Sequence, residues 1–172
     1  MKLRIFLLAF LFVVLNSCKS PKIAEFRESI IQKERVAFRI ILGKDGFGNK
    51  KLNFLASGDF KGASAAIDQQ ATEFDKLIES IELLSTDGIP EGETLQIAAI
   101  DYYRALKDLH FFERKEIEQQ ELIGQSNDKD LKLAQDQLIE LAKQKKSLYE
   151  KVYEKVDLLS VALDQFDRAN GL

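Results

Sequence analysis

From Leu131 to Phe166 the apolar residues return at an almost constant interval: Leu131, Ala134, Leu138, Leu141, Leu148, Val152, Val156, Leu159, Leu163 and Phe166. Lys145 takes the one seam position that is polar. A mean spacing near 3.5 residues gathers these side chains on one side of an α-helix. The pattern therefore predicts a single helix of about 40 residues, roughly 60 Å long. A helix of that length with one apolar side must bury it against other helices, and "KQKKS" (Lys143–Ser147) is the expected place for a bend.

The same periodicity organises the chain before it. After Pro21, a residue suited to the first helical position, apolar residues recur at Ile23, Phe26, Ile30, Ala37 and Ile41 and stop at Gly43. "VAFRIIL" (Val36–Leu42) also suits a strand by propensity, but the surrounding pattern favours helix. Asp59 can cap a second helix with its stripe on Phe60, Ala63, Ile67, Phe74, Leu77 or Ile78, Ile81 and Leu84. "STDGIPEG" (Ser85–Gly92) punctuates the chain. A third helix carries Leu95, Ala98, Tyr102, Ala105, Leu109 and Phe112 and ends within Gly124–Asn127. These three are expected to be roughly 30–45 Å long, so the fourth must overhang, bend or pair with more than one neighbour.

The expected fold is all-α, an up-and-down four-helix bundle with a long C-terminal helix. The glycine-rich stretch between 43 and 58 reads as a flexible connector, with Phe47, Phe54 and Leu55 folding back over one end of the core. Its glycines beside Lys44 and Lys50 do not have the spacing of a phosphate loop. Phe47 after Asp45 breaks the alternation of oxygen ligands in a calcium loop.

Little in the chain points to catalysis. His110 is the single histidine and Met1 the single methionine. A di-iron bundle needs two Glu-x-x-His motifs, and the residue three before His110 is Lys107. No Gly-x-Ser-x-Gly elbow is present. The expectation is no enzyme, no cofactor and no metal. His110 reads as a surface or boundary histidine beside Asp108 and Glu113, and the carboxylates of "ERKEIEQQE" as a solvated helix face. Adjacent aromatics on a helix cannot share a face, so one of each of Tyr102-Tyr103 and Phe111-Phe112 tends to the surface or the edge of the core. Tyr149 and Tyr153, at i and i+4 on the long helix, are the first candidates for a partner interface.

The beginning of the chain is of another kind. Lys2 and Arg4 precede an uninterrupted apolar run from Ile5 to Leu15, followed by Asn16, Ser17 and the only cysteine, Cys18. That order is the layout of a secretory signal peptide, and the run is too short to span a bilayer, which takes about 20 residues. Leu15-Asn16-Ser17-Cys18 resembles the lipobox of bacterial lipoproteins, with Asn16 the less usual residue. The resemblance implies cleavage between Ser17 and Cys18, a diacylglyceryl group on the Cys18 thiol and acylation of the new amino group. Two or three chains give stable anchoring where one is marginal. The expected organisation is a signal peptide over 1–17, a lipidated Cys and spacer over 18–22, and a helical domain over 23–172.

Losing the two basic residues of the first 17 takes the formal charge from −3 to near −5. With no basic stripe, nucleic acid is not an expected partner. With Cys18 lipidated, no disulfide can staple the fold. Lys19, rather than the aspartate of inner-membrane retention, favours the outer membrane, without deciding between the periplasmic and the surface-facing leaflet. Lys19 and Lys22 would sit near the headgroups. Over its whole length the chain is similar to small all-helical surface lipoproteins of unknown function in Gram-negative bacteria, through "AAIDYYRALKDL" (Ala98–Leu109) and "FDRANGL" (Phe166–Leu172). The expected role is a lipid-anchored binding or structural module of the cell envelope. The alternative is a homo-oligomer assembled through the long last helix.

Overall fold

The computed structural model describes residues 20–125 and 128–172, and consists of helices joined by short turns. Helix α1 spans Pro21–Leu42, α2 Phe47–Ala56, α3 Phe60–Glu82, α4 Gly92–Gln125 and α5 Asp128–Asn170. The four long helices form the expected all-α bundle. Cys18 and the leader lie outside the described residues.

Local chemistry explains the boundaries. Pro21 occupies the first turn of α1, where its missing N–H costs nothing, so the helix starts two residues before the expected domain boundary at 23. "VAFRIIL" is helical throughout. The Asp59 carboxylate accepts a hydrogen bond from the Gly62 amide at 2.8 Å and caps α3. At the other end of α3 the Gln96 amide donates to the carbonyls of Ile81 (2.7 Å) and Leu84 (2.8 Å), tying α4 to the turn that leaves α3. Ile89, in the turn that follows, is buried and closes that end of the core.

Charged pairs set the register. Between α3 and α4, Asp68 meets Arg114 (2.5 Å), Asp75 meets Lys107 (2.6 Å) and Glu82 meets Arg104 (2.7 Å). Between α4 and α5, Asp101 meets Lys155 (3.2 Å), Asp108 meets Lys151 (3.1 Å) and Glu116 meets Lys145 (2.6 Å). Numbers rise on one helix as they fall on the other, so each pair is antiparallel. All but the part-buried Glu116–Lys145 pair reach solvent on at least one side, and such exposed pairs each contribute at most about 1 kcal/mol; their regular spacing matters more than their strength.

The stretch 43–58 is not the flexible connector its glycines suggest. Its central ten residues form α2. Helix α1 is 22 residues long against 34 in α4, so α1 stops well short of the far end of the bundle. Helix α2 covers part of what α1 leaves bare. Phe47 packs against the main core and Leu55 against a second small core of Ala63, Ile67 and Ile117. Phe54 lies over Gly62, where a Cβ would collide with its ring. Gly48 allows the sharp entry, because a Cβ there would run into the carbonyl of Ile41 on α1. Glycine at these points serves close backbone approach rather than flexibility.

Two further expectations change. The third long helix, at about 51 Å by its rise, exceeds the 30–45 Å anticipated and matches most of α5. Helix α5 runs unbroken through "KQKKS". Lys145 is tolerated in the apolar seam because its ammonium reaches Glu116 at 2.6 Å and Glu113 at 3.6 Å.

Candidate functional site

Of the four seams between the long helices, α3/α4 and α4/α5 are bridged by the ion pairs above, and α1/α3 by Lys33, which donates to the Ser80 hydroxyl at 2.8 Å. The fourth, between α1 and α5, is closed at one end only. There Phe26 stacks on Phe166 with ring centroids 5.7 Å apart. One residue on, the Arg27 guanidinium holds both oxygens of Asp167 at 2.7 Å. This two-pronged geometry is the strongest form of ion pair. It keeps the Asp167 carboxyl below its ordinary range, chiefly through those hydrogen bonds. Asn170 adds a tie from α5 to the turn before α4, donating to the Pro90 carbonyl at 2.9 Å.

Beyond this clasp the seam opens. A cavity of about 310 Å³ is lined by Ile30, Ile31 and Glu34 of α1, Tyr102 and Tyr103 of α4, and Val156, Leu159 and Leu163 of α5. The two tyrosine rings lie together in its lining, tilted at 57° with centroids 4.9 Å apart. Burial raises both phenol pKa values, and the Glu34 carboxylate nearby raises them further. They stay protonated at any ordinary pH.

Further along, one face of each helix continues past the cavity. On α1 the positions after Ile31 and Glu34 on the same face are Phe38 and Leu42, exposed by 59% and 61%. On α5 the positions beyond Val156 are Tyr153 and Tyr149, exposed by 66% and 44%. At the clasp Phe26 and Phe166 are 5% and 0% exposed. The contrast defines a groove with apolar lips, shut at the amino-terminal end of α1 and open at the other.

The two tyrosines anticipated as an interface stand exposed on the α5 side of this groove. The α1 half was hidden in "VAFRIIL". Apolar residues at six of seven consecutive positions exceed what one stripe can bury, and the surplus, Phe38 and Leu42, is what stands exposed. Of the adjacent pairs, Tyr103 is buried and Tyr102 half-buried, while Phe112 is buried and Phe111 exposed.

"ERKEIEQQE" is not simply a solvated face. Glu113 and Glu116 are only 15% and 19% exposed and join Lys51 of α2 and Lys145 of α5 across α4. His110 lies beside this cluster, stacked on Phe74 with centroids 6.1 Å apart. Its Nδ1 is 3.9 Å from Glu113, too far for a hydrogen bond. Burial lowers its pKa, Glu113 raises it and the ammonium groups of Lys51 and Lys145 lower it again. His110 is thus a neutral boundary residue, and Asp108 is engaged with Lys151 instead. A broad depression among α3, α4 and α5 is lined by Asp75, Arg104, Lys107, Asp108, Lys151 and Lys155. These charges already neutralise one another, which leaves it a solvated surface. Among the described residues no cluster of histidine, cysteine, aspartate and glutamate has the geometry to hold a metal ion, and no helix is long and apolar enough to cross a membrane. Neither a protein-family model, nor a curated protein, nor a solved structure matches this chain.

Proposed function

We propose that the chain is a lipid-anchored binding or structural module of the bacterial cell envelope, tethered through Cys18 and engaging a protein partner along the open α1/α5 groove. The observation that carries the binding role is the groove itself: Phe38, Leu42, Tyr149, Tyr153 and Val156, all at least 37% exposed, border one face. Contiguous apolar side chains of this size on a surface mark interaction sites. The anchor rests on Leu15-Asn16-Ser17-Cys18. Cys18 to Pro21 spans at most about 14 Å, which keeps the clasped end of the groove beside the bilayer and points the open end away from it. Lys22 is held there by a hydrogen bond to the Asp87 carbonyl at 2.5 Å, within reach of headgroups. Lys19 favours the outer membrane.

Fractionation of cells expressing Cys18→Ala tests the anchor. The unaltered chain is expected in the membrane fraction with the added mass of its acyl chains, and the variant in the soluble fraction. A variant that stays wholly membrane-bound with unchanged mass overturns the anchor. Protease treatment of intact cells assigns the leaflet.

A further inference from the structure

We propose that the occupant of the α1/α5 groove is a second copy of this chain, packed face to face and parallel about a two-fold axis that runs along the bundle. The inference rests on the groove being a partner surface, as argued above, and names the partner. Apolar lips alone would admit many occupants. The charges beside them are selective.

On the outer margin of α1, one step round from Phe38 and Leu42, stand Arg35 and Arg39. On the outer margin of α5, one step round from Tyr153 and Val156, stand Glu150, Glu154 and Asp157. All five are exposed; among the described residues neither arginine nor Asp157 has an ion-pair partner, while Glu150 and Glu154 have only long contacts to lysines of their own helix, Lys146 at 3.7 Å and Lys155 at 3.9 Å. One margin of the face is basic and the other acidic.

The clasp supplies the heights. Arg27 is level with Asp167 and the helices are antiparallel, so Arg35 and Arg39 stand level with Leu159 and Lys155, beside Asp157 and Glu154. A two-fold axis parallel to the helices places α1 of one copy opposite α5 of the other at the same height. The basic margin then meets the acidic margin, and symmetry repeats the match on the other side. An axis across the helices would place α1 on α1 and α5 on α5. Arginine would then face arginine and carboxylate face carboxylate, which disfavours that arrangement. The parallel choice also brings both Pro21 ends to the same side, so that the lipids of two chains reach one bilayer.

Sedimentation of the purified full chain in density-matched detergent tests this. The unaltered chain is expected at twice the protein mass of one chain. Arg35→Glu with Arg39→Glu should halve that mass at the same concentration, with the circular-dichroism melting curve confirming an intact fold. Adding Glu150→Lys, Glu154→Lys and Asp157→Lys to the same chain should restore the doubled mass. A single-chain mass for the unaltered protein, or a reversed-charge variant that stays double, overturns the proposal. Mass spectrometry of Cys18 on the same samples separates the two readings: a dimer without lipid keeps the pairing and removes the anchor, and a lipidated monomer does the reverse.

Discussion

Phe26 and Phe166 lie 140 residues apart in the chain and stack at 5.7 Å, next to the Arg27–Asp167 pair, which spans the same separation. This contact joins the first helix to the last, and it is where the groove stops. Replacing Phe26 with Ala removes a nearly buried ring and is expected to cost about 3–5 kcal/mol of unfolding free energy. Phe38→Ala, on the exposed lip, should cost well under 1 kcal/mol at dilutions where single chains prevail. Urea titration followed by circular dichroism measures both, and equal losses would mean that Phe38 is not a surface residue.

The corner between α1 and α2 depends on Gly48. A methyl group there meets the Ile41 carbonyl, so Gly48→Ala is expected to destabilise by about 1–3 kcal/mol. This is the reverse of the small gain alanine gives in an ordinary helix interior. An unchanged or raised midpoint in urea would show that α2 does not approach α1 so closely.

Gln70 is 2% exposed, on the core face of α3, and among the described residues its Nε2 has no hydrogen-bond partner. A buried donor left unsatisfied costs about 1–3 kcal/mol. Gln70→Met keeps the shape without the amide and is expected to be neutral or to stabilise by about 1 kcal/mol. A loss above about 1 kcal/mol in the same titration would mean that the amide is satisfied in solution.

His110 makes stability depend on pH. Burial and the ammonium groups of Lys51 and Lys145 lower its pKa below the ordinary 6.5, against the smaller opposing pull of Glu113. The unfolded chain then binds a proton that the folded chain refuses, so the stability His110 contributes is complete above pH 6.5 and falls as the pH drops below it. His110→Gln should flatten the slope of unfolding free energy between about pH 7 and 5. An identical slope in the variant would place the histidine in water.

Much of the fold was legible because helix formation is local. Pro21 and Asp59 mark starts, "STDGIPEG" marks a stop, and the 3.5-residue spacing of the last segment needs no knowledge of its neighbours. The segment 43–58 misled because glycine usually signals flexibility, whereas Gly48 and Gly62 are there for close approach to Ile41 and Phe54. That requirement exists only once α2 and α3 have been brought to those positions. The bridging of Glu113 and Glu116 to lysines on two other helices was illegible for the same reason.

The sequence by itself determined four amphipathic helices, their order and most of their ends. It also singled out Tyr149 and Tyr153. The tertiary structure decided that these tyrosines share a groove with Phe38 and Leu42, and that the groove is clasped at Phe26 and Phe166. The physical reason is that periodicity says which side of a helix is apolar, while burial depends on whether a neighbour lies across from it. That neighbour is set by the relative lengths and register of helices far apart in the chain: α1 ends at Leu42, after 22 residues, while α5 runs for 43.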